Sequence, residues 1–172
     1  MAFENLSRRQ KKYNTIQANP LDALSIAFET QGWPFERPSQ DLIAFETHGG
    51  WCNYNLQIYR SINRGLMYFS SRISCRVPAE RQPQLYKLLC EINTHMCLGH
   101  FDLCPEDGTP TFRHSLPLSA VNNDCIEPIE DIVFIALHEC ERFFPAFQLV
   151  LWAGKTPEEA LQASMLECEG NA

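Results

Sequence analysis

A chain of 172 residues, 45% hydrophobic and 20% charged, has the make-up of one globular domain with a core of its own, which excludes a disordered segment or a disulfide-stapled miniature. Its net charge of −7 argues against phosphate-driven binding to nucleic acid, which needs the opposite sign. That charge is uneven: Glu4 against Arg8, Arg9, Lys11 and Lys12 gives residues 1–17 a local +3 and leaves −10 for the rest.

No apolar run approaches the roughly 20 residues needed to cross a bilayer. Ser7-Arg8-Arg9 is like the start of a twin-arginine export signal, but no apolar stretch follows it, so the expected setting is cytoplasmic. Eight cysteines (52, 75, 90, 97, 104, 125, 140 and 168) then read as reduced thiols that act as small hydrophobes.

In chain order, residues 1–17 lack a clean period and read as a basic flexible tail or a loosely docked helix. Asn19-Pro20 starts a helix, with Asn19 as N-cap and Pro20 at the first position. Leu21, Leu24, Ala27 and Phe28 recur at helical spacing, and Gly32 ends the helix. Leu42 to Thr47 reads as a strand, 48–50 as a turn, and Trp51 to Tyr59 as the returning strand. There Cys52, Tyr54, Leu56 and Ile58 alternate with Asn53, Asn55 and Gln57. Leu66 to Val77 is a third strand, and a short one near Phe35 is expected to pair at the edge.

Leu85, Leu88, Leu89, Ile92 and Met96 give a second helix one apolar stripe. Gly99 stops it, and a hairpin follows from His100 to Leu116. Centred on Asp107-Gly108, its turn places Asp102 opposite Arg113, Leu103 opposite Phe112 and Phe101 opposite His114. Phe101, Leu103, Phe112 and His114 then share the core face, while His100, Asp102 and Arg113 share the other. A polar loop over 119–125 follows. Glu127 opens a long apolar helix to about Trp152, which Pro145 is expected to kink or interrupt. Thr156-Pro157-Glu158-Glu159 starts the last helix with a capping box.

The chemistry-bearing residues form no complete motif. His138-Glu139-Cys140-Glu141-Arg142 begins like a zinc-protease helix, but Arg142 stands where the second histidine belongs. Cys97, His100 and Cys104 cluster near a helix end without any zinc spacing. His114 and Asp102 fall on opposite faces of the hairpin, so they make no acid–base pair. Aromatic residues are abundant, and Phe143 and Trp152 are the candidates for an interface.

Several strings together resemble the bacterial YbjN-like family: Gly32-Trp33-Pro34-Phe35, Leu98-Gly99-His100-Phe101-Asp102, Phe112-Arg113-His114, Glu141-Arg142-Phe143-Phe144-Pro145-Ala146-Phe147-Gln148 and Trp152-Ala153-Gly154-Lys155. Phe144 and Ala153 stand where the family pattern has Tyr and Gly. The resemblance implies a sensory-transduction regulator with a fold similar to type III secretion chaperones, small acidic proteins that commonly dimerise and bind extended protein segments. It implies no catalytic residues.

The expectation is therefore an α+β fold, an antiparallel β-sheet packed against helices on one face and type III secretion chaperone-like. Residues 1–17 form the tail and 18–172 one domain. The expected function is a non-enzymatic cytoplasmic regulator or chaperone-like homodimer. It needs no cofactor or metal and binds neither nucleic acid nor membrane, and it holds a protein or peptide partner on the open sheet face or in a helix groove. His100, Asp102, Arg113, Phe143 and Trp152 are the candidate partner-binding residues. The alternative is a thiol- or metal-responsive sensor using Cys97, His100 and Cys104.

Overall fold

The computed structural model describes residues 19–121 and 126–169; the basic segment 1–17 and most of the loop before the long helix lie outside it. Helix α1 (Pro20–Gln31) begins as its sequence dictates, with the Asn19 Oδ1 accepting the Leu21 N–H at 3.1 Å. Gly32 ends it at φ +72°, a left-handed conformation that glycine adopts without a Cβ clash.

Strands β1 (Glu36–Ser39), β2 (Leu42–His48), β3 (Asn53–Ser61) and β4 (Leu66–Ile73) form an antiparallel meander. Helix α2 (Gln82–Thr94) then crosses to β5 (His100–Leu103), and β6 (Pro110–Pro117) returns between β5 and β4. Six antiparallel strands result, in the order β1-β2-β3-β4-β6-β5. Helices α3 (Glu127–Leu151) and α4 (Pro157–Glu169) complete the chain. The capping box of α4 is formed by reciprocal 3.2 Å bonds between Thr156 and Glu159.

Alternation decides the faces. Ile43 and Phe45, Tyr54, Leu56 and Ile58, Met67, Phe69, Ser71 and Ile73 all point inward and are buried, together with Phe101 and Phe112. Helix α3 lies over β4 and β6, so the core is the layer between it and the middle of the sheet. Cys140 on α3 reaches Ser71 on β4 across that layer at 3.5 Å.

Three local expectations need correction. The hairpin pairs Phe101 with Phe112 and His100 with Arg113, two residues out of the predicted register. The cause is a longer turn, in which Cys104 and Thr109 close a loop over 105–108. Gly108 there takes φ +70° and donates its N–H to the Cys104 carbonyl at 2.8 Å. A slip of two preserves the faces, so His114 stays inward and Asp102 outward. Strand β4 ends at Ile73 rather than Val77, because the Cys75 N–H turns back onto the Ile73 carbonyl at 2.6 Å. Helix α3 runs through Pro145 without a break. Pro145 forfeits one bond to the Glu141 carbonyl, but Phe143, Phe144, Ala146 and Phe147 around it are all buried, and that packing outweighs the loss.

Candidate partner-binding site

The open sheet face is more polar than the aromatic surplus of the sequence suggests. Asn55, Gln57, Ser70, Arg72 and Arg113 point outward across its centre, and Thr111 lies buried beside them. Arg113 Nε meets Asp102 Oδ2 at 2.6 Å as a diagonal pair, since Asp102 stands opposite Thr111 and His100 opposite Arg113. Arg72 is paired with Asp107. The Thr109 hydroxyl first, then the Cys104 thiol and the Thr109 N–H, and last Arg72 hold the Asp107 carboxyl well below its usual range, against the opposing effect of burial. Tyr59 and Tyr68 supply aromatic surface on this face, their rings stacked at 6.2 Å. A hollow of about 390 Å³ lies over Ala44, between Glu36, Glu46, Asn55 and Gln57.

The sheet edges are closed to strand addition. The Asn93 side chain at the end of α2 accepts the Phe101 N–H at 2.8 Å and donates to its carbonyl at 3.0 Å. It thus takes the place of a neighbouring strand beside β5. Strand β1 is four residues long and carries Pro38, which has no N–H to offer.

The helical side presents a different surface. Trp33 follows α1 and is 43% exposed, and Phe134 on α3 is 70% exposed. Between them Leu24, Phe28, Val133 and Leu137 line an apolar groove of about 240 Å³, with Gln31 and Glu130 as its polar lining. Phe28 holds the Trp33 ring at 5.5 Å, and His138 stacks on Phe134 at 6.4 Å. Glu130, Val133, Phe134 and Leu137 recur at i, i+3, i+4 and i+7, so one stripe of α3 forms its side of the groove. The groove is smaller than the roughly 300–1,000 Å³ of a drug-sized ligand pocket, and suits one or two protein side chains.

The predicted site residues are dispersed. His100, Asp102 and Arg113 lie on the open face, and Trp152 stands 65% exposed just past the end of α3. Phe143 is fully buried against Phe101, at 6.1 Å between ring centroids, and has no surface with which to meet a partner. Cys97 and His100 are exposed, whereas Cys104 is buried, and among the described residues no three His, Cys, Asp or Glu side chains come together as metal ligands. Burial, and then the nearby His100, push the His114 pKa down, and its Nε2 has no hydrogen-bond partner.

Two features escaped the sequence reading. Phe134 lies beside the buried stripe of α3 rather than on it, and only its position one turn from Glu130 and His138 hinted at exposure. The second is a buried polar group beneath the Gly49-Gly50 turn. A Cβ on Gly49 would run into Glu141 Oε1 and the Tyr54 ring, so any larger residue there would have to push this pair aside. Burial, and then Glu141, raise the pKa of the Tyr54 hydroxyl far above its ordinary value. Trp51 covers the same region, stacked on Phe144 at 6.1 Å.

These features define an α+β protein built on one open-faced antiparallel sheet, a type III secretion chaperone-like fold. Residues 20–149 match the YbjN family, described as "Putative bacterial sensory transduction regulator", and the chain belongs to that family. Among solved structures it is similar to the "Crystal Structure of the ExsC-ExsE Complex", with a TM-score of 0.53 at 10% identity, covering 74% of this chain and 96% of that one. It is also similar to "YbjN, a putative transcription regulator from E. coli", with a TM-score of 0.49 at 14% identity over 86% of this chain and 92% of that one. No curated protein matches it in sequence. At these identities the likeness is one of fold. Among the described residues no helix is long and apolar enough to cross a membrane.

Proposed function

We propose that this protein is a non-enzymatic cytoplasmic regulator or chaperone-like protein-binding domain that acts as a homodimer. The observation that carries the reading is the groove between α1 and α3. An exposed Phe134 and Trp33 flank an apolar cleft too small for a cofactor, and large aromatic residues of this kind concentrate binding energy at protein interfaces. The structural neighbour with a TM-score of 0.53 is itself a complex of two proteins, which supports the same reading. The open sheet face is the surface for a second copy: Tyr59 and Tyr68 lie within it, and His100, Asp102 and Arg113 supply polar contacts. Trp152 lies apart from both surfaces and serves as a further candidate contact for a partner.

The test has two arms. Sedimentation of the full chain is expected to give twice the chain mass, and Tyr59→Lys with Tyr68→Lys is expected to give the monomer. Peptides selected from an unbiased displayed library are expected to bind the wild type and to lose Phe134→Asp. A monomeric wild type would remove the dimer, and a library without specific binders would remove the protein-binding role.

A further inference from the structure

The stretches of the two helices that wall the groove carry charge of one sign, with His138, stacked on Phe134, marking where that stretch of α3 ends. Along α1 the ionisable residues are Asp22 and Glu29; over the first three turns of α3 they are Glu127, Glu130 and Asp131. No Lys, Arg or His occurs on α1 or on residues 127–137 of α3. Asp22, near the start of α1, is committed to Arg37 at 2.6 Å. Glu130 lines the groove itself, and Asp131 is exposed on the adjacent stripe, one turn before Phe134.

We infer that the groove receives a basic amphipathic segment of a partner protein, with one large apolar side chain seated among Leu24, Phe28, Trp33, Val133, Phe134 and Leu137, and a lysine or arginine beside Glu130 and Asp131. The inference rests on the protein-binding reading above and specifies the partner's chemistry. The cleft volume sets the size of the anchor, since about 240 Å³ admits one or two side chains and leaves the remainder of the segment on the rim. The rim supplies the sign. Carboxylates beside an apolar cleft attract a cationic segment during encounter and repel an acidic one, which gives discrimination even where each exposed pair adds little affinity. A helix with its anchor residues on one face meets such a groove without needing a free sheet edge, and both edges of this sheet are closed.

Trp33 is a built-in reporter. In full-length protein carrying Trp51→Phe and Trp152→Phe it is the sole tryptophan. Two synthetic amphipathic peptides with the same leucine pattern are titrated, one with lysine at every polar position and one with glutamate. The lysine peptide is expected to blue-shift the Trp33 emission saturably and to bind at least about tenfold more tightly than the glutamate peptide. Glu130→Lys with Asp131→Lys should invert that preference, and Phe134→Asp should abolish binding of both while the chain remains folded by circular dichroism. Equal binding of the two peptides would overturn the charge assignment and leave protein binding standing. Binding of neither would overturn both. If binding appeared only after residues 1–17 were removed, the chain's own basic segment would be the occupant and the inference would fail. It would fail equally if Phe134→Asp dissociated the dimer, because a second copy would then fill the groove.

Discussion

His114 faces Phe69 across β4 and β6, its ring 6.5 Å from that of Phe69, with Nε2 left without a partner. Burial opposes its positive charge, and so, to a lesser degree, does the nearby His100. The folded state therefore releases this proton at a pH where the unfolded chain still holds it. The resulting stability is fully present above the ordinary histidine value of about 6.5, and is lost as pH falls from there through the lower folded value. Wild type is thus expected to lose urea resistance between about pH 7.5 and 5.5 more steeply than His114→Gln, which stays neutral throughout. Equal slopes for the two proteins would mean that the ring is protonated in the fold at no cost.

At the scale of single elements, Asn93 decides what the β5 edge can do. Its amide satisfies both backbone groups of Phe101, and those groups would otherwise face water or another chain's strand. Asn93→Ala is expected to destabilise the fold by about 1–3 kcal/mol and to increase light scattering on concentration. Asn93→Asp should fall between, because a carboxylate still accepts the Phe101 N–H but cannot donate to the carbonyl. An unchanged urea midpoint in Asn93→Ala would show that water replaces both bonds. Such a side chain was not legible in the sequence, where Asn93 reads only as a polar position near a helix end. The strands were legible, because Tyr54, Leu56 and Ile58 alternate with amides and a period of two needs no tertiary information. The hairpin register was not, because Asp107-Gly108 signals a two-residue turn while Gly108 in fact closes a longer loop. The groove was half legible: Leu24, Phe28 and Leu137 stood out as apolar, but whether a residue lines a core or an open cleft depends on which helix lies opposite. The same dependence hid the burial of Phe143, since α3 is enclosed on most sides near Pro145.

For the whole molecule, the cysteines grade from surface to centre and so report how firmly α3 is docked on the sheet. Cys90 and Cys97 are exposed, Cys52 and Cys75 are half-buried with pKa values raised chiefly by burial, and Cys140 is enclosed between α3 and β4. Burial pushes the Cys140 thiol up to about 12, so at pH 8 only about one molecule in ten thousand carries the reactive thiolate there. Reagent must also reach it, which requires α3 to lift from the middle of the sheet, an opening close to global unfolding. A brief pulse of iodoacetamide followed by peptide mapping is therefore expected to label Cys90 and Cys97 first and Cys52 and Cys75 more slowly. Cys140 should be labelled only at denaturant concentrations near the unfolding midpoint. Labelling of Cys140 in native protein at the rate of Cys97 would mean that the long helix leaves the sheet freely. The groove wall built on that helix would then be transient, and the binding surface proposed for it would lack the rigid support that selectivity requires.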